Sequence, residues 1–155
     1  MWTDYICGQK EMTTINSNNM TTVKTTYLGD LRTENIHLQS GNKIYTDAPV
    51  DNQGKGEAFS PTDLMATSFG SCIMTIMGIV ARDNNIDIVG TELNITKIMA
   101  ADPRRVDEVV AEFVFPNKAY TDEEKKIIES VAGTSPVPLS VSPNMTQSIK
   151  MVWPK

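Results

Sequence analysis

Apolar and polar positions alternate roughly with period two across TTVKTTYLGDL (residues 21–31) and ENIHLQSG (34–41). That alternation reads as half-buried β-strands. SGN at 40–42 is a turn signal, and KIYTDAP (43–49) reads as a third short strand stopped by Pro49. VDNQGKGEA (50–58) is a glycine-rich loop. The pattern then changes. Ser60 is a good N-cap, Pro61 suits the first helical position, and Asp63 sits where a capping-box acid belongs. A helix is predicted from there to about Arg82. Its Leu64, Phe69, Ile73, Met74, Ile76, Met77, Ile79 and Val80 cover nearly every direction, as in a central, buried helix. Gly70, Ser71 and Gly78 reduce its bulk and permit close approach of another backbone.

Two long alternating runs follow, IDIVGTELNITKIMA (86–100) and RRVDEVVAEFVFP (104–116), joined by ADPRR into a long hairpin. YTDEEKKIIESVAG (120–133) reads as an amphipathic helix capped by Thr121, with Ile127, Ile128 and Val131 inward and Gly133 at its end. MTQSIKMVW (145–153) closes the chain as a strand. The order is three strands, a central helix, two strands, a helix and a strand. That is α+β, with antiparallel sheets around a central helix. One thin sheet cannot cover a helix that is apolar all round, so an intertwined homodimer is expected. Residues 1–19 are polar and without period, and read as an N-terminal tail before a single domain at 20–155.

Composition narrows the function. The 155 residues carry 14 basic and 19 acidic side chains, a net charge of −5, which argues against a nucleic-acid surface. One histidine, His37, leaves little material for a metal site, and no cofactor is expected. Two cysteines fit a reducing cytoplasm better than a disulfide framework. The run 64–81 is uncharged and just long enough to span a membrane. It holds Thr67, Ser68, Ser71 and Thr75, and lacks flanking basic bias, so it reads as a core helix.

The candidate chemistry centres on Cys72, midway along the long helix. Burial alone would raise its pKa and leave it inert, so reactivity requires a nearby cation. Helical spacing puts Met65, Ser68, Phe69, Thr75, Ile76 and Ile79 on its face, an apolar wall with a few hydroxyls. Whether Cys72 packs or reacts stays open on these grounds.

Three segments, GKGEAFSPTDLMATSFGSC, MAADPRRV and AGTSPVPLSVSPN, carry a resemblance. Over residues 21–153 the chain resembles the OsmC/Ohr family of osmotically inducible and organic hydroperoxide resistance proteins. The resemblance implies two intertwined subunits and thiol-dependent reduction of organic hydroperoxides at sites on the dimer interface. It implies Cys72 as the attacking thiol. The family's second, resolving cysteine lies in a Cys-Pro-Val motif, which here reads Ser135-Pro136-Val137, so Ser135 stands where the second sulfur belongs. A hydroxyl cannot form a disulfide, so an external thiol or dithiol must reset Cys72, and Ser135 is expected to hydrogen-bond its sulfur. A glutamate of the family is replaced by Thr62, and neither Glu57 nor Asp63 matches it. In the family the activating arginine comes from the N-terminal strand region, which makes Arg32 the candidate here, with Arg104 or Arg105 its rival.

Two functions follow from the resemblance. One is a thiol peroxidase acting on organic hydroperoxides through Cys72. The other is a catalytically inactive dimer binding a small hydrophobic molecule in the interface pocket. Cys7, in the tail, is either incidental or a replacement resolving thiol. His37, Trp2 and Trp153 read as packing or surface residues, and Arg104 and Arg105 as solvated or paired with Asp107 and Glu108.

Overall fold

A computed structural model describes residues 20–155. The expected tail, with Cys7 and Trp2, lies outside the described residues. The chain divides into two compact units, the first ending at Ala58 and the second running from Phe59 to Lys155.

In the first unit β1 (Val23–Gly29), β2 (Arg32–His37) and β3 (Lys43–Asp47) form an antiparallel sheet in that order. Asp30 and Leu31 make the β1–β2 turn, both at positive φ, the backbone that a two-residue hairpin of right-handed twist demands. Gly54 folds back on the end of β3. A Cβ there would lie 1.7 Å from the Ala48 carbonyl oxygen, so only glycine fits. No apolar residue among the described part of this unit is buried; its buried residues are Thr46 and Asp47.

In the second unit α1 (Pro61–Asp83) starts as the sequence predicts. The Ser60 backbone N–H donates to Asp63 Oδ2 at 2.8 Å, and the Asp63 N–H donates to Ser60 Oγ at 3.1 Å. The helix ends at Asn84, whose N–H and side-chain amide both donate to the Val80 carbonyl. β4 (Glu92–Ala101) and β5 (Arg104–Val114) form the predicted hairpin. β4 begins later than its alternation suggested, because residues 86–91 turn, with Gly90 at φ 94° and the Thr91 N–H bonded to the Ile88 carbonyl.

The chain then crosses through α2 (Asp122–Glu129) and α3 (Pro136–Ser140) to β6 (Thr146–Val152). β6 pairs parallel to β5, so this sheet is mixed and not antiparallel throughout. A helical crossover returns the chain to the same end of the sheet, which is what a parallel neighbour requires. α2 is shorter than expected, and Gly133 lies in a separate 3₁₀ turn at 132–134. α3 was not foreseen, although Ser135-Pro136 is a cap followed by an N1 proline. Trp153 is a packing residue, stacked on Phe115 with ring centroids 3.7 Å apart.

The core lies between α1 and the second sheet. Ala66, Phe69, Ile73, Met77 and Ala81 form one buried stripe of α1, against Val109, Ala111 and Phe113 at alternate positions of β5. That stripe makes α1 a core helix, although it is long and apolar enough to cross a membrane. The opposite face, with Ser68, Ser71, Thr75 and Ile79, is exposed within the chain. Phe69 was expected on the Cys72 face; it is fully buried in the core stripe instead. Gly70 admits β4 closely, since a Cβ would lie 2.7 Å from Leu93 Cδ2 and 2.9 Å from Ile95 Cδ1. Among the described residues nothing approaches Gly78 in this way.

The two glycines differ in what they would strike. Gly70→Ala meets the ends of flexible side chains and should cost about 1–2 kcal/mol of stability. Gly54→Ala meets a backbone carbonyl and should cost about 3 kcal/mol or more. Urea denaturation checks both, with Gly54→Ala expected to be the more damaging.

Candidate active site

Cys72 sits in the middle of α1, half-buried, on the flank between the core stripe and the open face. Met65 and Ile76 beside it are half-buried, while Ser68, Thr75 and Ile79, the last 42% exposed, continue the wall toward the open side. Of the residues expected on the Cys72 face, Phe69 belongs to the core stripe instead.

Ser135 lies in the same unit, immediately before α3, and α3 packs against α1. It is completely buried, and its Oγ has no hydrogen-bond partner among the described residues. The expected hydrogen bond to the Cys72 sulfur is therefore not made in this state. Local sequence explains the unused hydroxyl. A serine N-cap ordinarily accepts from the N–H of the second or third helical residue. Here the first and third are Pro136 and Pro138, which have no N–H. Val137 has the remaining N–H, and no capping bond forms. Only the Ser135 carbonyl is engaged, by the Leu139 N–H at 3.2 Å.

Arg32 belongs to the first unit, at the start of β2. Its Nε donates to Asp47 Oδ1 at 2.7 Å, and its Nη2 donates to Asp47 Oδ2 at 2.8 Å and to Glu57 Oε2 at 2.7 Å. The fork geometry of guanidinium suits such a paired carboxylate. The two acids differ: Asp47 is 2% exposed and Glu57 is 63% exposed. Asp47 also accepts the Glu57 backbone N–H at 3.0 Å, tying the loop to the sheet. Hydrogen bonds from Arg32 hold the Asp47 carboxyl below the usual carboxylate range, against the opposing effect of burial. The same bonds raise the Arg32 pKa further. Arg32, with Leu28, Tyr45, Glu57 and Ala58, lines a cleft of about 410 Å³. Sequence reasoning set Glu57 aside because it lacks the expected spacing; the fold brings it to Arg32 nonetheless.

Thr62 meets a cation of its own. Lys97 Nζ on β4 donates to Thr62 Oγ1 at 2.7 Å and Ser60 Oγ at 3.1 Å, and pairs with Asp63 Oδ1 at 2.6 Å. Burial pushes the Asp63 carboxyl up, but the bonds from Lys97 and Ser60 outweigh it and leave it lowered. Lys97 was missed because a lysine at an alternating strand position reads as solvated. Arg105, a rival to Arg32, pairs with Asp107 at 2.7 Å. His37 binds Ser40 Oγ at the hairpin turn. A groove of about 630 Å³ at the C-terminal end of α1, by Met74, Gly78 and Val89, does not include Cys72.

A long capped helix with a half-buried cysteine, packed on a mixed sheet and preceded by an antiparallel one, defines an α+β fold of the OsmC type. The chain belongs to the OsmC family: the family described as OsmC-like protein matches residues 54–150. A solved protein from Psychrobacter arcticus 273-4, named for osmotic stress induction and detoxification response, is 57% identical. It covers 88% of this chain and 99% of its own, with a TM-score of 0.83. The organic hydroperoxide resistance protein OsmC of Legionella pneumophila is 15% identical over 86% of this chain and 98% of its own, with a TM-score of 0.67. A Vibrio cholerae protein named for organic hydroperoxide resistance, with captopril in one of its active sites, is 15% identical. It covers 88% of this chain and 94% of its own, with a TM-score of 0.66. The last two likenesses are of fold alone. A search of curated proteins gave no match.

Two tests follow from these side chains. In the native state Asp47 binds its proton less readily than in the unfolded chain. Its contribution is present above the ordinary carboxylate pKa and is lost as pH falls through the lowered one. Stability should therefore decline below roughly pH 4, and Asp47→Asn should flatten that decline while lowering stability at neutral pH. Chemical denaturation across pH reads both. Ser135→Ala removes a buried hydroxyl with no partner, so the reduced variant should be as stable as the parent or about 1 kcal/mol more stable. Lower stability would mean that the hydroxyl is bonded.

Proposed function

We propose that this chain is an OsmC-type thiol peroxidase, reducing organic hydroperoxides through Cys72, in the cytoplasm, as a homodimer reset by an external thiol or dithiol. The observation that carries the reading is the place of Cys72: a half-buried sulfur on the flank of α1 turned away from the core stripe, beside Met65 and Ile76. An apolar wall with hydroxyls at one side suits an alkyl hydroperoxide better than hydrogen peroxide. The names of the Legionella and Vibrio proteins point the same way, and captopril in an active site of the latter is a small organic ligand.

The chemistry uses the thiolate. Sulfur attacks the terminal peroxide oxygen, the S–O bond forms and the O–O bond breaks. The alkoxide leaves and takes up a proton as the alcohol, and Cys72 becomes a sulfenic acid. An external thiol then displaces water to give a mixed disulfide, and a second thiol releases Cys72 with formation of the external disulfide. The resemblance implies Arg32 as the cation for the thiolate, and within the first unit Asp47 and Glu57 fix the orientation of its guanidinium.

Support for the dimer is the apolar surface that one chain leaves open. A three-stranded sheet without a single buried apolar residue is not independently stable. The open face of α1 needs cover as well, and a second copy can supply both.

The second reading, an inactive dimer holding a small hydrophobic molecule, is favoured by one observation: Ser135 provides no sulfur. Hydroperoxide consumption with a dithiol by the parent chain, Cys72→Ser and Ser135→Cys separates the two. The peroxidase reading expects parent turnover, its fall to the uncatalysed rate in Cys72→Ser, and faster turnover in Ser135→Cys. Turnover by Ser135→Cys alone would make the natural chain the inactive member. Equal rates for the parent and Cys72→Ser would remove Cys72 from the chemistry.

A further inference from the structure

The Ser135 hydroxyl is the one buried side-chain polar atom among the described residues that has no hydrogen-bond partner. Leaving such a group unpaired costs on the order of 1–3 kcal/mol, so a native chain that keeps it calls for a reason. Its surroundings deny it the ordinary one. Pro136 and Pro138 remove two of the three nearest helical N–H donors, and the hydroxyl caps nothing. The donor is thus held in reserve, enclosed at the start of a helix that packs on the helix carrying Cys72.

Resting on the peroxidase reading, we propose that the Ser135 hydroxyl donates to the oxygen that Cys72 acquires from a hydroperoxide. The oxidised protein then rests as a Cys72 sulfenate instead of a disulfide. The oxygen arrives only with the reaction: one O–O bond breaks, one S–O bond forms, and the alcohol departs with the proton. The sulfenate oxygen carries negative charge, and a buried, unpaired donor brought within reach of it by the packing of α3 on α1 would stabilise it. A hydroxyl cannot proceed to the disulfide that a thiol at this position would form. The same replacement that removes the resolving step therefore protects the first oxidation product from a second peroxide, which would yield the sulfinic acid.

The test uses the full chain with one and with three equivalents of cumene hydroperoxide, followed by intact mass and by dimedone trapping with peptide mapping. The parent should gain one oxygen at Cys72, trapped by dimedone. Ser135→Ala should show a sulfenate lifetime shorter by roughly tenfold, the loss of one hydrogen bond to a charged group, with two added oxygens accumulating at Cys72. Ser135→Cys should lose two hydrogens and crosslink Cys72 to the introduced thiol, which reports that position 135 reaches the sulfur. A Ser135→Ala sulfenate as durable as the parent's overturns the proposal, as does failure of the crosslink in a Ser135→Cys protein whose Cys72 is oxidised. Loss of two hydrogens from the parent, mapped to Cys7 and Cys72, overturns it by a different route. A parent that gains no oxygen overturns the peroxidase reading itself, and the proposal with it.

Discussion

α1 is long and largely apolar, and the described residues bury only one of its faces. The stripe Ala66, Phe69, Ile73, Met77 and Ala81 is buried against the second sheet. The other face, with Ile79 and the hydroxyls of Ser68, Ser71 and Thr75, is exposed among the described residues. The first sheet has the complementary difficulty, with Tyr27, Leu28, Leu31, Ile44 and Tyr45 exposed and no apolar residue buried. This exposed apolar surface is what the proposed dimer would cover. Cys72 lies on the boundary between the covered and uncovered halves, so whatever covers α1 also shapes the surroundings of the sulfur. The proposed chemistry and the proposed assembly thus rest on the same constraint.

Charge is arranged with equal economy. Arg32 is gripped by a buried aspartate and by an exposed glutamate, so its position is set from below while one partner remains exchangeable with water. Lys97 is satisfied by Ser60, Thr62 and Asp63 at the start of α1, where it reinforces the cap. Among the buried side-chain polar groups of the described residues, Ser135 alone stands outside this pattern. Its two neighbouring prolines account for the missing cap, and the proposed Cys72 sulfenate would supply a partner only after reaction.

Much of the fold was legible because its signals are local. Ser60, Pro61 and Asp63 define the start of α1, and alternation along 92–101 and 104–114 defines the hairpin. The parallel pairing of β6 was not legible, since strand direction depends on where the crossover returns and not on alternation within the strand. α3 was overlooked because five residues carry no period. At the site, Cys72 and Ser135 were named from the family resemblance, whereas the Arg32–Asp47–Glu57 cluster needed the fold. Its members are 15 and 25 residues apart in sequence from Arg32, and no pattern in their segments links them. Phe69 was misassigned because a face 100° wide does not separate positions near its edge.

The central claim is that a second copy of the chain covers α1 and the first sheet, and that the fold does not persist without it. Sedimentation equilibrium combined with circular dichroism, over a range of dilution, tests this most directly. The claim predicts a particle of twice the 17.1 kDa chain mass, with dissociation and loss of secondary structure occurring together. A folded single chain of 17.1 kDa that keeps its helix and both sheets at low concentration would contradict it.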